Sequence, residues 1–411
     1  MRQLSAEKYF SEIKAIEVVF KTVERCNINC SYCYYFNGGN REYLKQPKYI
    51  SEDTIKHVAR FLAQGAQELG LQEIRLDFHG GEPMMQKKKT FDWMCDYLGE
   101  MLSPHVSLSL AMQTNATLVD DDWIDLFQKH SVHIGVSLDG PKEYNDVARL
   151  DHQGNSTYER TARGLELLNA AADKGRIAPV GVLCVVNPNY SARKTFNHFV
   201  DDLNLKGMDF LLPDYTHDDF DFSTVKQYGD FLCELFDAWA EKDYKNIQIR
   251  IICSALARLN GFSGPALFGF SQEKPTDLAF TILADGKLAP DDVLRTTPLW
   301  QKYHQPSVID TSMYEFFDHE FFHRLNLASR TIPDACQSCC WARICGGGGI
   351  PAHQYSSRND SINNPTVYCE SLKDFYSHIS VYLLNNGMSI ERLQNALFRE
   401  DELAQMQATV A

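Results

Sequence analysis

Along this chain the apolar residues change period repeatedly, from short continuous runs that suit a buried strand to three-and-four spacing that suits a helix. Ile16 to Val23 is a run rich in Val, Ile and Phe and predicts a buried strand. After Ser51, with Glu52 and Asp53 in the first turn, Ile55, Val58, Phe61 and Leu62 recur at helical spacing, which predicts a capped helix. Further strands are predicted at Glu73 to Phe78, Val106 to Gln113, Val132 to Leu138, Ile177 to Val186 and Met208 to Leu212. Helices fall between them at Lys88 to Leu102, Asp121 to Lys129, Tyr158 to Ala172 and Ser191 to Leu203. Six strands alternating with helices predict an α/β fold, a parallel sheet or partial (β/α)6 barrel with its function at the C-terminal strand ends. Helices at Thr224 to Trp239 and Ile247 to Leu259 lead out of it, and Gly261 to Pro265 reads as a linker. Ser389 to Met406 reads as an amphipathic helical tail with Ile390, Leu393, Leu397 and Leu403 turned inward.

Composition narrows the class. The 411 residues, 44% apolar and 23% charged, suit a globular enzyme of two or three domains. No apolar run approaches the roughly 20 residues that cross a bilayer, so no membrane partner is expected. Met1 to Ile16 carries Glu7, Lys8, Glu12 and Lys14 and lacks the apolar core of a signal peptide, which predicts a cytoplasmic protein. Glu12 to Ile16 is expected to leave no room for a leader-binding domain of ~80 residues ahead of the barrel, so any such module is expected to be a separate protein. A net charge of -14 disfavours nucleic acid as a partner. Twelve cysteines without an export signal predict reduced thiols and metal ligation. Cys95, Cys184, Cys233 and Cys253 read as small core residues, whereas Cys340, beside Cys339, is ambiguous.

The other cysteines form two sets. Cys26, Cys30 and Cys33 stand on one short loop directly after the first strand. Three thiolates fall one short of a structural zinc site, but they can hold a 4Fe-4S cube with one iron left open; a zinc knuckle with a borrowed ligand is the alternative. Cys336, Cys339, Cys345 and Cys369 supply four thiolates, enough for a closed 4Fe-4S cluster or a zinc site. Polar groups gather where strands give way to loops: Gly80-Gly81-Glu82-Pro83, Gln113-Thr114-Asn115 and Ser137-Leu138-Asp139. The glycine pair would let backbone approach a ligand, with the Glu82 carboxylate beside it to accept from an ammonium group.

Cys26, Cys30 and Cys33, with Tyr32 before the third cysteine, resemble the cluster loop of the radical S-adenosylmethionine (SAM) enzymes. That resemblance implies that SAM chelates the open iron and is cleaved to a 5′-deoxyadenosyl radical. It also implies that Gly80 to Pro83 bind the SAM amino group, that Gln113, Asn115, Ser137 and Asp139 face the same mouth, with Ser137 and Asp139 toward the ribose and carboxylate end, and that Arg149 pairs with the carboxylate. The second cysteine set resembles a SPASM-type C-terminal extension, which implies a domain division of 1–215 for the partial barrel, 216–275 for a helical connection, 276–375 for the extension and 376–411 for the tail.

Two-cluster relatives carry further cysteines where this chain has Gly346 to Gly349 and Pro290-Asp291, so one auxiliary cluster is expected. Asp292 matches the aspartate by which sulfatase-maturing relatives take a proton from the substrate side chain; the alternative is a turn or helix cap. With one auxiliary cluster, the hairpin aspartate and the Cys345 glycine loop, the chain most resembles maturases that form three-residue cyclophanes in ribosomally made peptides. The implied partners are a precursor peptide and an electron donor such as flavodoxin or ferredoxin. Formylglycine formation, thioether cross-linking and a non-catalytic metal-binding interaction protein stand as the alternatives.

Overall fold

The computed structural model describes residues 13–39, 41–242, 246–262, 278–290 and 292–399. Asp291, Leu403 and linker residues 263–265 lie outside them. The chain forms two compact units, residues 1–184 with 275–324 and residues 185–274 with 325–411.

In the first unit β1 (Ala15–Val23), β2 (Glu73–Gly80), β3 (Ser107–Thr114), β4 (His133–Ser137) and β5 (Gly181–Val185) lie side by side in chain order, each neighbouring pair parallel. The second unit carries the parallel pair β6 (Gly207–Leu211) and β7 (Gln248–Ile249). Alternation explains the sheet: Ile16, Val18 and Phe20 on β1 and Ile74, Leu76 and Phe78 on β2 are all buried, one side chain in two. Phe78 meets Phe91 at 4.9 Å between ring centroids and Phe91 meets Trp123 at 5.3 Å, a run of aromatic contacts that ties the sheet to helices Lys88–Leu102 and Asp121–His130.

Helix Glu52–Leu69 starts where Ser51 Oγ accepts from Thr54 N at 3.0 Å and stops at Gly70, in the left-handed region at φ 62°. Its buried Ile55, Val58, Phe61 and Leu62 each contribute about 1.5–3 kcal/mol by leaving water.

A strand absent from the sequence reading decides the site. β8 (Leu278–Ile282) joins the free edge of β1 in parallel, Ile16 opposite Leu278 through Phe20 opposite Ile282, and returns as the antiparallel β9 (Leu288–Ala289). Gly286, at φ 84°, makes that turn possible. The chain after β9 is thereby carried back toward β1.

In the second unit helix Val225–Ala240 lies against helix Cys369–Asn385, with Phe236 and Tyr382 rings 5.0 Å apart. Two expectations are corrected there. Ile390 is 66% exposed, because Ser389 caps Arg392 N and the first helical residue points to solvent; the short helix Ile390–Leu397 buries Leu393, as expected, together with Ala396. Cys253 is exposed, since helix Arg250–Leu259 turns Ile251, Ile252, Ala255 and Leu259 inward, while Cys95 and Cys184 are core residues as expected.

Candidate active site

Cys26, Cys30 and Cys33 follow the C-terminal end of β1 on a loop fastened at several points. Asn29 N donates to Leu150 O at 2.7 Å, Ser31 N to Ala148 O at 3.0 Å and Cys33 N to Cys30 O at 3.0 Å. His152 Nε2 lies 2.8 Å from Cys26 O. The two glycines also pack under the cysteine loop. Gly81 N donates to Val23 O at 2.7 Å, and a Cβ at Gly81 would stand 2.0 Å from Arg25 O, so the pair makes room for the base of the cysteine loop. The Glu82 carboxylate accepts from Thr114 Oγ1 at 2.7 Å, Asn115 N at 2.8 Å and Met84 N at 3.0 Å inside the protein. Pro83 opens the 3-10 turn Pro83–Met85 that follows.

The other strand-end groups converge. Gln113 Nε2 donates to Ser137 Oγ at 2.7 Å, and Gly135 leaves the room, since a Cβ there would sit 2.3 Å from Gln113 Oε1. Asn115 Nδ2 donates to Asn27 Oδ1 on the cysteine loop at 2.9 Å. Tyr32 donates to Asp139 Oδ2 at 2.7 Å and accepts from Arg149 Nη1 at 2.8 Å. Arg149 is buried; burial alone would discharge it, but Tyr32, Cys30 and Asp139 outweigh that and hold it charged.

Asp292 sits in a buried ionic network. Its Oδ2 accepts from Lys21 Nζ at 2.9 Å and from the Tyr34 hydroxyl, and its Oδ1 accepts from Arg295 Nε at 3.1 Å. Lys21 Nζ and the Arg295 guanidinium lie 4.3 and 4.4 Å from the Tyr35 ring centroid. Burial would raise the Asp292 carboxyl, yet Lys21, Arg295 and the Tyr34 hydroxyl hold it well below the usual carboxylate range. The expected base is therefore a carboxylate held ionised at rest between Lys21 and Arg295. His79 Nδ1 lies 4.0 Å from Asp292 Oδ2, and burial with the Lys21 charge brings His79 down to about 4, so its ring is neutral.

Sequence reasoning missed Lys21, Tyr34, His79 and Arg295. The one available signal was a lysine inside a predicted buried strand. Arg295 and Lys21 are 274 positions apart and meet only because β8 pairs with β1.

In the second unit Cys336, Cys339, Cys345 and Cys369 line one recess, with Trp341, Ala342, Leu372 and Tyr376 among its walls. Gly346 to Gly349 all take positive φ, and a Cβ at Gly348 would stand 2.4 Å from Thr366 Cβ, so this run is demanded by the turn after Cys345. Cys340 is exposed.

Burial pushes the Cys26 and Cys345 thiols up to about 12, so a bound metal must supply the charge that keeps them as thiolates. Among the described residues, ligand atoms of three groups gather within 4.8 Å of one another only at Asp92, Asp96 and His130, exposed or part-buried groups where Lys129 Nζ already bridges both carboxylates. Neither cysteine set is drawn in that tightly, whereas tetrahedral zinc brings its sulfurs to about 3.8 Å. Both donor sets fit a polynuclear cluster better than one ion.

A parallel sheet with three cysteines on the loop after its first strand, and polar groups at the ends of the next three, defines a class. Residues 20–192 match the family model described as the Radical SAM superfamily. Residues 20–192 thus form a radical SAM domain, the domain of enzymes that use a 4Fe-4S cluster and SAM. Among curated proteins, the chain is 25% identical to the cysteine-type anaerobic sulfatase-maturating enzyme of Clostridium perfringens over 379 residues, 89% of this chain and 96% of that one. It is 23% identical to the serine-type enzyme of Bacteroides thetaiotaomicron over 92% of this chain and 93% of that one. Among solved structures, native anSMEcpe with bound AdoMet and the Kp18Cys peptide superimposes with a TM-score of 0.73 at 25% identity, over 90% of this chain and 98% of that chain. These similarities name sulfatase maturases and do not name cyclophane formation. Among the described residues no helix is long and apolar enough to cross a membrane.

Proposed function

We propose that this enzyme oxidises a cysteine or serine side chain in a peptide or protein substrate, beginning with removal of a hydrogen atom from its β-carbon. The observation that carries the reading is the meeting of Asp292, delivered by the β8–β9 hairpin, with Tyr34 on the cysteine loop. The near full-length similarity to cysteine-type and serine-type sulfatase-maturating enzymes supports it.

In this reading Cys26, Cys30 and Cys33 hold a cluster with an open iron, and Tyr32, Gln113, Asn115, Ser137, Asp139 and Arg149 line the SAM site. With Glu82 engaged internally, recognition of the SAM amino group falls to the backbone of Gly80 to Pro83. Cys336, Cys339, Cys345 and Cys369 hold the auxiliary cluster. When bound, these groups supply a 5′-deoxyadenosyl radical that abstracts hydrogen and an acceptor for the remaining electron. The chain's own part is the proton. Asp292 is kept ionised by Lys21 and Arg295, and the Tyr34 hydroxyl is its link toward a substrate proton. Reduced cysteines suit a reducing compartment such as the cytoplasm and a low-potential donor such as flavodoxin or ferredoxin.

A second reading, three-residue cyclophane formation, is favoured by one feature: Gly346 to Gly349 and Pro290-Asp291 stand where two-cluster relatives have cysteines. Product mass separates the readings. Anaerobic enzyme given dithionite, SAM and candidate peptides yields an aldehyde in the first case and loss of two hydrogens with an aromatic crosslink in the second; a blocked thiol would mean a thioether. Asp292→Asn is expected to keep releasing 5′-deoxyadenosine while losing at least about 100-fold in product, a general-base-sized effect. Full retention of product would remove Asp292 from the mechanism.

A further inference from the structure

Helix Cys369–Asn385 presents Cys369, Leu372, Lys373 and Tyr376 at spacings of three, four and seven, which places a cysteine, a cation and a phenol on one face toward the four-cysteine recess. Tyr376 is completely buried. Its hydroxyl has no hydrogen-bond partner among the described residues, and the residue lines the same recess as Cys345. The ring is set by Trp341, 5.8 Å away between centroids. Lys373 Nζ is held by Glu370 Oε1 at 2.9 Å, and its charge acts on Cys369, Cys339 and Cys336. A buried hydroxyl with no partner costs about 1–3 kcal/mol unless something else satisfies it. Ala342, Pro365 and Leu372 make up the apolar part of the wall.

We propose that Tyr376 and Lys373 set the reduction potential of the auxiliary cluster, Tyr376 by donating its unpartnered hydroxyl to a sulfur of the bound cluster and Lys373 by its nearby positive charge. Reduction adds one electron to a cluster already ringed by thiolates. A donor and a cation at its edge stabilise the reduced form and raise the potential, making the site a better electron acceptor. The inference rests on the auxiliary-cluster part of the reading above and is independent of which peptide is modified.

The test uses full-length chain in which Cys26, Cys30 and Cys33 are replaced by alanine, so that iron bound there reports on the four-cysteine site. The reduced fraction is followed by electron paramagnetic resonance during redox titration without peptide. Tyr376→Phe keeps the ring and removes the donor. It is expected to lower the reduced-to-oxidised ratio at fixed potential about tenfold, which is about 59 mV for a one-electron couple. Lys373→Gln, half in water and screened by Glu370, is expected to lower it about threefold. Unchanged midpoints in both variants with iron retained overturn the proposal, as does zinc in place of iron. If Tyr376→Phe fails to load iron, the Lys373→Gln midpoint decides, a fall supporting the proposal and an unchanged value overturning it. An enzyme that makes no peptide product but shows the shifts fails only the substrate assignment.

Discussion

The two cysteine sets are built from the same thiol chemistry in opposite surroundings. Cys26, Cys30 and Cys33 stand among Asn27, Asn115, Tyr32, Asp139 and Arg149, all joined by hydrogen bonds. Cys336, Cys339, Cys345 and Cys369 are walled by Trp341, Ala342, Leu372 and Tyr376, with Lys373 the cation of the lining. A site that must admit a charged, hydrogen-bonding ligand needs donors and acceptors held ready. A site that passes only electrons needs four sulfurs and little water. Three cysteines in a polar mouth and four in an apolar recess therefore describe a reactive centre and a closed one.

The largest effect separates the two directly. Cys30→Ala is expected to abolish 5′-deoxyadenosine release, whereas Cys345→Ala is expected to cut iron from about eight to about four per chain and leave SAM cleavage standing. Loss of SAM cleavage in folded Cys345→Ala would break the comparison. Next comes charge. Lys21→Met leaves Asp292 with Arg295 and Tyr34 alone and should cost about 3 kcal/mol in denaturant unfolding, the lower end for breaking a buried pair. Lys373→Gln at the second set should cost no more than about 0.5 kcal/mol, because its partner pair is exposed. Equal losses would mean that the two cations do the same work.

The remaining effect concerns pH. Burial brings His353, in the second unit, down to about 3 and His79, in the first, down to about 4. The folded values lie below the unfolded value near 6.5, so the unfolded chain binds more protons in this window and stability falls as pH drops below about 6.5. At pH 5 the loss should be about 2 kcal/mol for His353 and somewhat less for His79, part of which remains in water. His353→Gln and His79→Gln should each flatten the difference between unfolding midpoints at pH 7 and pH 5. Unchanged slopes would mean that neither ring resists protonation.

The cysteine triplets, the strand-helix alternation and the polar strand ends are local properties: a ligand spacing or a hydrophobic period lies within a dozen residues and can be read there. Cys26, Cys30 and Cys33, the strand Ile16 to Val23 and the capped helix after Ser51 were legible for that reason. Gly81 and Glu82 were legible as a motif but not in their work, since Arg25 O and Asn115 N are brought to them by the fold. The same limit explains the exposed Ile390, where a helix period was right and its starting phase was not. The ionic network around Asp292 lay wholly beyond the sequence. Lys21, Tyr34, His79 and Arg295 acquire partners only when β8 pairs with β1, because burial and charge pairing depend on contacts across the sheet, and spacing along the chain carries no record of them.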